Sequence, residues 1–273
     1  MTLTTYDQNK VAKYIDGTKV GHREKLIART FSEFCLSHPC QGARLAIAKG
    51  GVYLSILRDM SSIESAFDFL IDLEEYYRVS DPLVQTEKSL AVAFYAEPVL
   101  TQNDFAEKYW QFVQHLHDID CQRHPWDSAV SSDWKDPKFE LSLAGRAVFT
   151  TTLNPQNPRF ARKFSYPIWV VNQLSQFNYL RETGMFTKWQ QRIRDLDSKF
   201  DPSGQPNPIL TDHGQASSAG QLAGSSMADM KFQYRATQIE RDTAKNAVLE
   251  LAKREGCPAD IMLAISRMSK VLE

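Results

Sequence analysis

The stretch His38-Pro39-Cys40-Gln41-Gly42-Ala43-Arg44-Leu45-Ala46 puts one thiol directly after a proline and at the start of a helix-compatible run. Proline disfavours helix in the residue before it, so the chain turns at Pro39 and a helix can begin at Cys40. Gly42 keeps the backbone beside the sulfur uncrowded, and the free N–H groups of a first helical turn favour negative charge there. A lowered thiol pKa is therefore expected, and with it the chemistry of a thiolate ligand or nucleophile. The plainer reading is a packed core thiol, because free cysteine is among the most frequently buried residue types.

A second group lies at the end of the run Thr101 to Cys121, where Phe105, Tyr109, Phe112, Val113, Leu116 and Ile119 share one helical stripe. His115, His117, Asp118, Asp120, His124, Trp126 and Asp127 follow one another closely. On a helical projection Asp120 falls on the apolar stripe and Asp118 faces away. A carboxylate pointing into a core needs an arginine, a histidine, backbone N–H groups or a cationic substrate to offset its desolvation. His117, at the edge of the stripe, can reach a cofactor or cap the helix; equally, His117 and Asp120 can simply fasten the helix end to the next loop. A third group is basic: Arg146, then Arg159, Arg162 and Lys163 after Asn154-Pro155. The fixed donor fork of arginine suits carboxylates, although solvated loop charge is the commoner use.

These groups must be positioned by recognisable elements. Glu24 to Cys35 has the apolar spacing of a helix ending just before the His38-Pro39-Cys40 turn. Val52–Leu57 and Ser89–Tyr95 read as buried strands, each followed by a helix: about Ser62–Arg78, with a capping box at Ser61-Ser62-Ile63-Glu64, and Thr101–Cys121. Phe139–Leu143 and Ala147–Leu153 flank Ala144-Gly145-Arg146 as a hairpin, and Ile168–Val171 is a further strand. A helical region from about Gln173 to Phe200 breaks near Gly184. The expected fold is mixed α+β, a central largely antiparallel or mixed sheet flanked by helices. The expected division is a single domain over residues 1–230 and an appendage over 231–273. That appendage reads as a helical hairpin, Phe232–Arg254 and Ala259–Val271, which would allow a homodimer.

The 273 residues, 42% hydrophobic and 24% charged, are enough for a sizeable core, and the net charge of −1 disfavours nucleic acid as a partner. No apolar run is long enough to span a bilayer and the N-terminus lacks a signal-peptide layout, so a cytoplasmic location without membrane contact is expected. Cys35, Cys40, Cys121 and Cys257 lack the spacing of a disulfide framework or a zinc site.

The order Cys-x-Gly-x-x-x-Ala from Cys40 to Ala46 is also the order around the iron-ligating cysteine of cytochromes P450, so an axial haem thiolate is one reading of Cys40. A broader set of motifs points the same way. Pro39-Cys40-Gln41-Gly42-Ala43, Leu116-His117-Asp118-Ile119-Asp120 with Pro125-Trp126-Asp127, Val130-Ser131-Ser132-Asp133 and Leu143-Ala144-Gly145-Arg146-Ala147 occur in order. Asn154-Pro155 with Arg159 and Arg162, Val171-Asn172 with Gln176-Phe177, and Asn207-Pro208-Ile209-Leu210-Thr211-Asp212 continue the series. As an ordered set they resemble the YqcI/YcgG family, several of whose members are haem-dependent N-oxygenases acting on arginine, lysine or small cyclic guanidines in bacterial specialised metabolism.

The resemblance implies haem b, used with dioxygen and an external electron donor or with peroxide, a small amine or guanidine substrate, and a redox partner. It implies Cys40 as the iron ligand, with His117 as the alternative. A histidine is usual in the family where this chain has Asn154 and another where it has Leu174, and neither can serve here. Arg146, Arg159, Arg162 and Trp126 are the expected cofactor contacts, and Asp120 or Asp127 the carboxylate that fixes the cationic end of the substrate. Three other readings remain beside this one. They are a cofactor-free thiol enzyme with Cys40 as nucleophile and His117 as base, a haem-binding sensor or storage protein, and a structural interaction protein.

Overall fold

A computed structural model describes residues 3–6, 12–80, 87–208, 217–219, 232–238, 240–242, 246 and 250. Among them, β1 (Thr4–Tyr6), β2 (Ala12–Tyr14), β3 (Val52–Leu57), β4 (Ser89–Phe94), β5 (Leu141–Leu143), β6 (Arg146–Leu153) and β7 (Ile168–Gln173) form one sheet in the order β2-β1-β3-β4-β7-β6-β5. Only β3 and β4 pair in parallel, because a helix long enough to return the chain to the same end separates them; the other pairs are antiparallel. The helices are α1 (His22–Ser37), α2 (Gln41–Ala48), α3 (Ile63–Val79), α4 (Gln102–Asp120), α5 (Leu174–Glu182) and α6 (Met185–Phe200), with a short 3-10 turn at Phe160–Arg162. The mixed α+β architecture is thus the observed one.

Both faces of the sheet are covered, and β4 shows how. Leu90, Val92 and Phe94 point into a core beneath α3 and α4 that includes Phe69, Phe112 and Trp169. Ala91 and Ala93 point the other way, toward Phe31, Ala46 and Ile47 of α1 and α2. A strand buried on both sides loses the polar alternation of an exposed sheet, which is why Ser89–Phe94 reads as a continuous apolar run. The residues are also unequal: bulky side chains fill the α3/α4 side, whereas two alanines leave volume on the other.

Local signals place the ends. Thr101 caps α4 by accepting from the Asp104 N–H at 3.2 Å. The cap of α3 falls one residue later than the expected box, since Ser62 rather than Ser61 accepts the Ser65 N–H at 3.1 Å. Gly184 separates α5 from α6 at φ +68°, a left-handed conformation that glycine adopts without a Cβ clash. The short strands β1 and β2 were not anticipated, because three residues each carry too little periodicity to register. The helical hairpin expected beyond Phe232 lies largely outside the described residues. No helix among the described residues is long and apolar enough to cross a membrane.

Candidate functional site

A cavity of about 300 Å³ lies on the alanine side of β4. This is the lower end of the range for ligand sites, roughly 300–1,000 Å³. Its floor is the sheet: Ala91 from β4, Phe149, Thr151 and Leu153 from β6, and Val170 and Asn172 from β7. The spacing of two along each strand puts these side chains on one face. Phe34, Cys35, His38 and Cys40 form one wall and Phe177 of α5 another. The roof is a single face of α6, Phe186, Trp189, Gln190, Ile193, Arg194 and Asp197, at the three- and four-residue spacing of a helix stripe. Of all the residues of α6 only Asp197 is fully buried. The apolar face of this helix therefore rests on the cavity rather than on a filled core.

Cys40 is the N-cap residue of α2, in extended conformation, as its position after Pro39 suggested. A Cβ added at Gly42 would come within 3.6 Å of the Cys40 sulfur and 3.7 Å of the Trp189 ring, so the glycine leaves open the space beside the thiol. The expected lowering of the thiol pKa is not what the structure gives. Burial pushes it up, and the opposing pull of the Ala43 and Gly42 amides and of the Arg44 charge is too small to reverse this. Cys40 lines the cavity, whose other walls are largely apolar and offer a thiolate little solvation.

His38 is next to this thiol yet cannot act as its base. Its Nδ1 accepts the Cys40 backbone N–H at 3.0 Å, and its Nε2 donates to the Ala161 carbonyl at 2.7 Å. Both ring nitrogens are thus occupied by backbone, and burial lowers the pKa of His38 and keeps it neutral. The imidazole ties the Cys40 turn to the 3-10 turn.

The basic cluster divides. Arg162 lines the cavity and is only 6% exposed; burial lowers its pKa to about 10, which leaves it a cation at neutral pH. Arg159 stands one layer behind. Its guanidinium donates to Asp197 at 2.6 Å and to the Gln205 carbonyl at 2.8 Å, and its Nε lies 3.3 Å from Asp201, outside hydrogen-bond geometry. Arg146 is not among the cavity residues; it donates to Gln173 at 3.2 Å and stacks 4.6 Å above the Tyr77 ring.

The second group sits on the opposite face of the sheet, with α4. His117 is 4% exposed and lies among the rings of Trp126, Phe232 and Tyr234. Its Nε2 accepts the backbone N–H of Arg235 at 2.8 Å. Asp120 is buried as its position on the stripe required, and its partners are His124 Nδ1 at 2.8 Å and the Ala144 N–H at 2.9 Å. Burial raises the pKa of Asp120, and these two partners oppose the rise. Asp127 accepts the N–H groups of Ala129 and Ala147 at 2.9 and 2.8 Å. Asp120 thus binds the β5–β6 hairpin to the end of α4 and Asp127 binds it to the loop that follows, and the structure does not bring them, His117 or Trp126 together with Cys40. Among the described residues no three His, Cys, Asp or Glu side chains form a metal-holding group.

His117 instead has a pH-dependent structural part. Burial lowers its pKa; the Arg235 charge adds to the effect, while Asp118, Glu240 and the hydrogen bond to the Arg235 backbone oppose it. A histidine held neutral contributes fully above its free pKa of about 6.5, and the contribution is lost as pH falls below that value. Hydrogen-exchange protection of the Arg235 amide is expected to be high at about pH 8 and to fall by about pH 5.5. In a His117→Gln protein, whose side-chain oxygen still accepts but does not titrate, protection should be the same at both.

Sequence reading missed the roof of the cavity. Phe186, Trp189, Ile193 and Arg194 belong to a strongly amphipathic helix, and that pattern was visible, but periodicity alone does not say whether a stripe faces a core or a cavity.

No curated protein and no solved structure matches this chain. The sequence profile of the YqcI/YcgG family matches residues 31–231, a span that holds every cavity-lining element from the second half of α1 to α6. The chain therefore belongs to the YqcI/YcgG family.

Proposed function

We propose that this protein binds haem b in the cavity beneath α6 through Cys40 and is a haem-dependent N-oxygenase of small amines or guanidines. The observation that carries the reading is a cavity-facing thiol with no imidazole base to activate it among the described cavity residues: both nitrogens of His38 are used, and His117 is across the sheet. A cofactor-free nucleophile needs such a base. A metal ligand does not, because the metal itself displaces the thiol proton. The rest of the donor set fits haem. Phe149, Phe177 and Trp189 provide flat apolar walls, Gly42 leaves room beside the sulfur, and Arg162 and Arg194 provide cationic groups suited to propionates.

When bound, haem supplies the oxidising chemistry, and electron donation from a thiolate ligand favours O–O cleavage. The chain's own part is to hold the ligand sulfur in a largely apolar pocket, with the Gly42 and Ala43 amides directed at it. The acidic residues lining the cavity are Glu87 and Asp197. Asp197 is held by Arg159, whereas Glu87 pairs at 2.5 Å with Lys49, whose side chain is 56% exposed. Such an exposed pair contributes little, so Glu87 is the carboxylate best able to exchange its lysine for a substrate cation.

Expression with haem precursor tests the reading. A Soret band and conversion of arginine, lysine or 2-aminoimidazole to products one or two oxygens heavier are expected. A colourless protein overturns the haem assignment, and a coloured one without turnover leaves a haem-binding protein that is not an oxygenase.

A further inference from the structure

We infer that Asn172, held by Ser89, is a carboxylate-binding group on the floor of the cavity; the inference rests on the reading of that cavity as a ligand site. Pairing of Leu90 with Val171 sets Ser89 beside Asn172 on the cavity face of β4 and β7. The Ser89 hydroxyl donates to Asn172 Oδ1 at 2.6 Å. An amide whose oxygen is engaged in this way has its orientation fixed and its two N–H donors left over.

The surroundings decide what those donors require. Asn172 is half-buried, and the ring of its neighbour on β6, Phe149, lies tilted against that of Phe177 with centroids 4.7 Å apart. A flat ligand that displaces water here leaves the amide N–H groups unsatisfied unless it brings an acceptor, and an unmet buried donor opposes binding. A carboxylate is the acceptor that gains most, since hydrogen bonds to charged groups are the stronger ones. It can come from the substrate or from a haem propionate. A purely structural amide linking β4 to β7 would need only its Oδ1.

Asn172→Asp separates the roles. Aspartate keeps an oxygen for Ser89 but replaces the donors with a negative oxygen. Wild-type and N172D proteins, matched for thermal melting, are titrated with haem and, by calorimetry, with L-arginine and with agmatine, its decarboxylated counterpart. A loss of at least about tenfold in haem affinity assigns the site to a propionate. The same loss for L-arginine but not agmatine assigns it to the substrate. Ser89→Ala, which frees the amide to rotate, should give the same selective loss at about threefold. Should N172D melt early, that variant takes its place.

Affinities of N172D within about twofold of wild type for both haem and L-arginine overturn the inference and leave the haem reading intact. So do equal losses for L-arginine and agmatine at unchanged haem affinity. A wild-type protein that takes up no haem yet prefers L-arginine through Asn172 overturns the haem reading alone. One that binds neither overturns both.

Discussion

A Cys40→Ala protein is expected to fold as the wild type does and, if Cys40 holds haem as proposed, to lose the ability to bind it. The thiol lines a cavity rather than filling a core, so removing one sulfur creates no new void against packed side chains and costs little stability. The effect on the iron is of another order. Losing a group behind a metal ligand commonly costs 10–100-fold in metal affinity, and loss of the ligand itself should exceed about 100-fold. Haem titration followed by Soret absorbance measures this. In the wild type, the ferrous carbon monoxide complex should absorb at the long-wavelength position of thiolate ligation; in Cys40→His, which restores a neutral donor at the same place, it should move to the position of histidine ligation. A Cys40→Ala protein that keeps the wild-type spectrum would remove Cys40 from the iron. His117 would not inherit the role, since its Nε2 already accepts the Arg235 N–H.

Arg159→Leu should destabilise the protein by about 3 kcal/mol, the cost of leaving buried charge without its partner. Arg159 holds Asp197, whose side chain is 4% exposed, and lies against Asp201, at 6%. It also donates to Ser203 at 3.3 Å and to the Gln205 carbonyl. Both carboxylates accept other hydrogen bonds, Asp197 from the Asn207 N–H at 2.8 Å and Asp201 from the Phe160 N–H at 3.2 Å, so neither can swing out to water without breaking them. The end of α6 is thus clamped to the 3-10 turn that carries Arg162. Urea denaturation should show the midpoint falling at unchanged slope, because the folded state is weakened without a change in the surface it exposes on unfolding. Haem affinity should fall as well, since α6 roofs the cavity. Loss of stability together with unchanged haem affinity would show that the clamp supports the fold and not the site.

Most of the fold was legible because its signals are local. The apolar runs at Val52–Leu57 and Ser89–Phe94, the cap at Thr101 and the break at Gly184 each act within a few residues of where they stand in the chain. The thiol at the start of α2 was legible for the same reason. Burial of Asp120 was also foreseeable, because a helical projection fixes which face a residue occupies.

What a face meets is set elsewhere in the chain. Sequence determined that Cys40 would open a helix after a turn and that His117 and Asp120 would end one; it contained no term for the sheet that separates them. Only the tertiary structure placed Cys40 in a cavity beneath α6 and His117 beneath the segment at Arg235. It also reversed the expected shift of the thiol pKa. Amides of a helical turn lie within one turn of the sulfur and can be read from spacing, whereas desolvation sums over Phe34, Leu153, Trp189 and other groups distant in sequence. The type and local geometry of a ligand-bearing residue are short-range properties. Its surroundings, and with them its chemistry, are long-range ones.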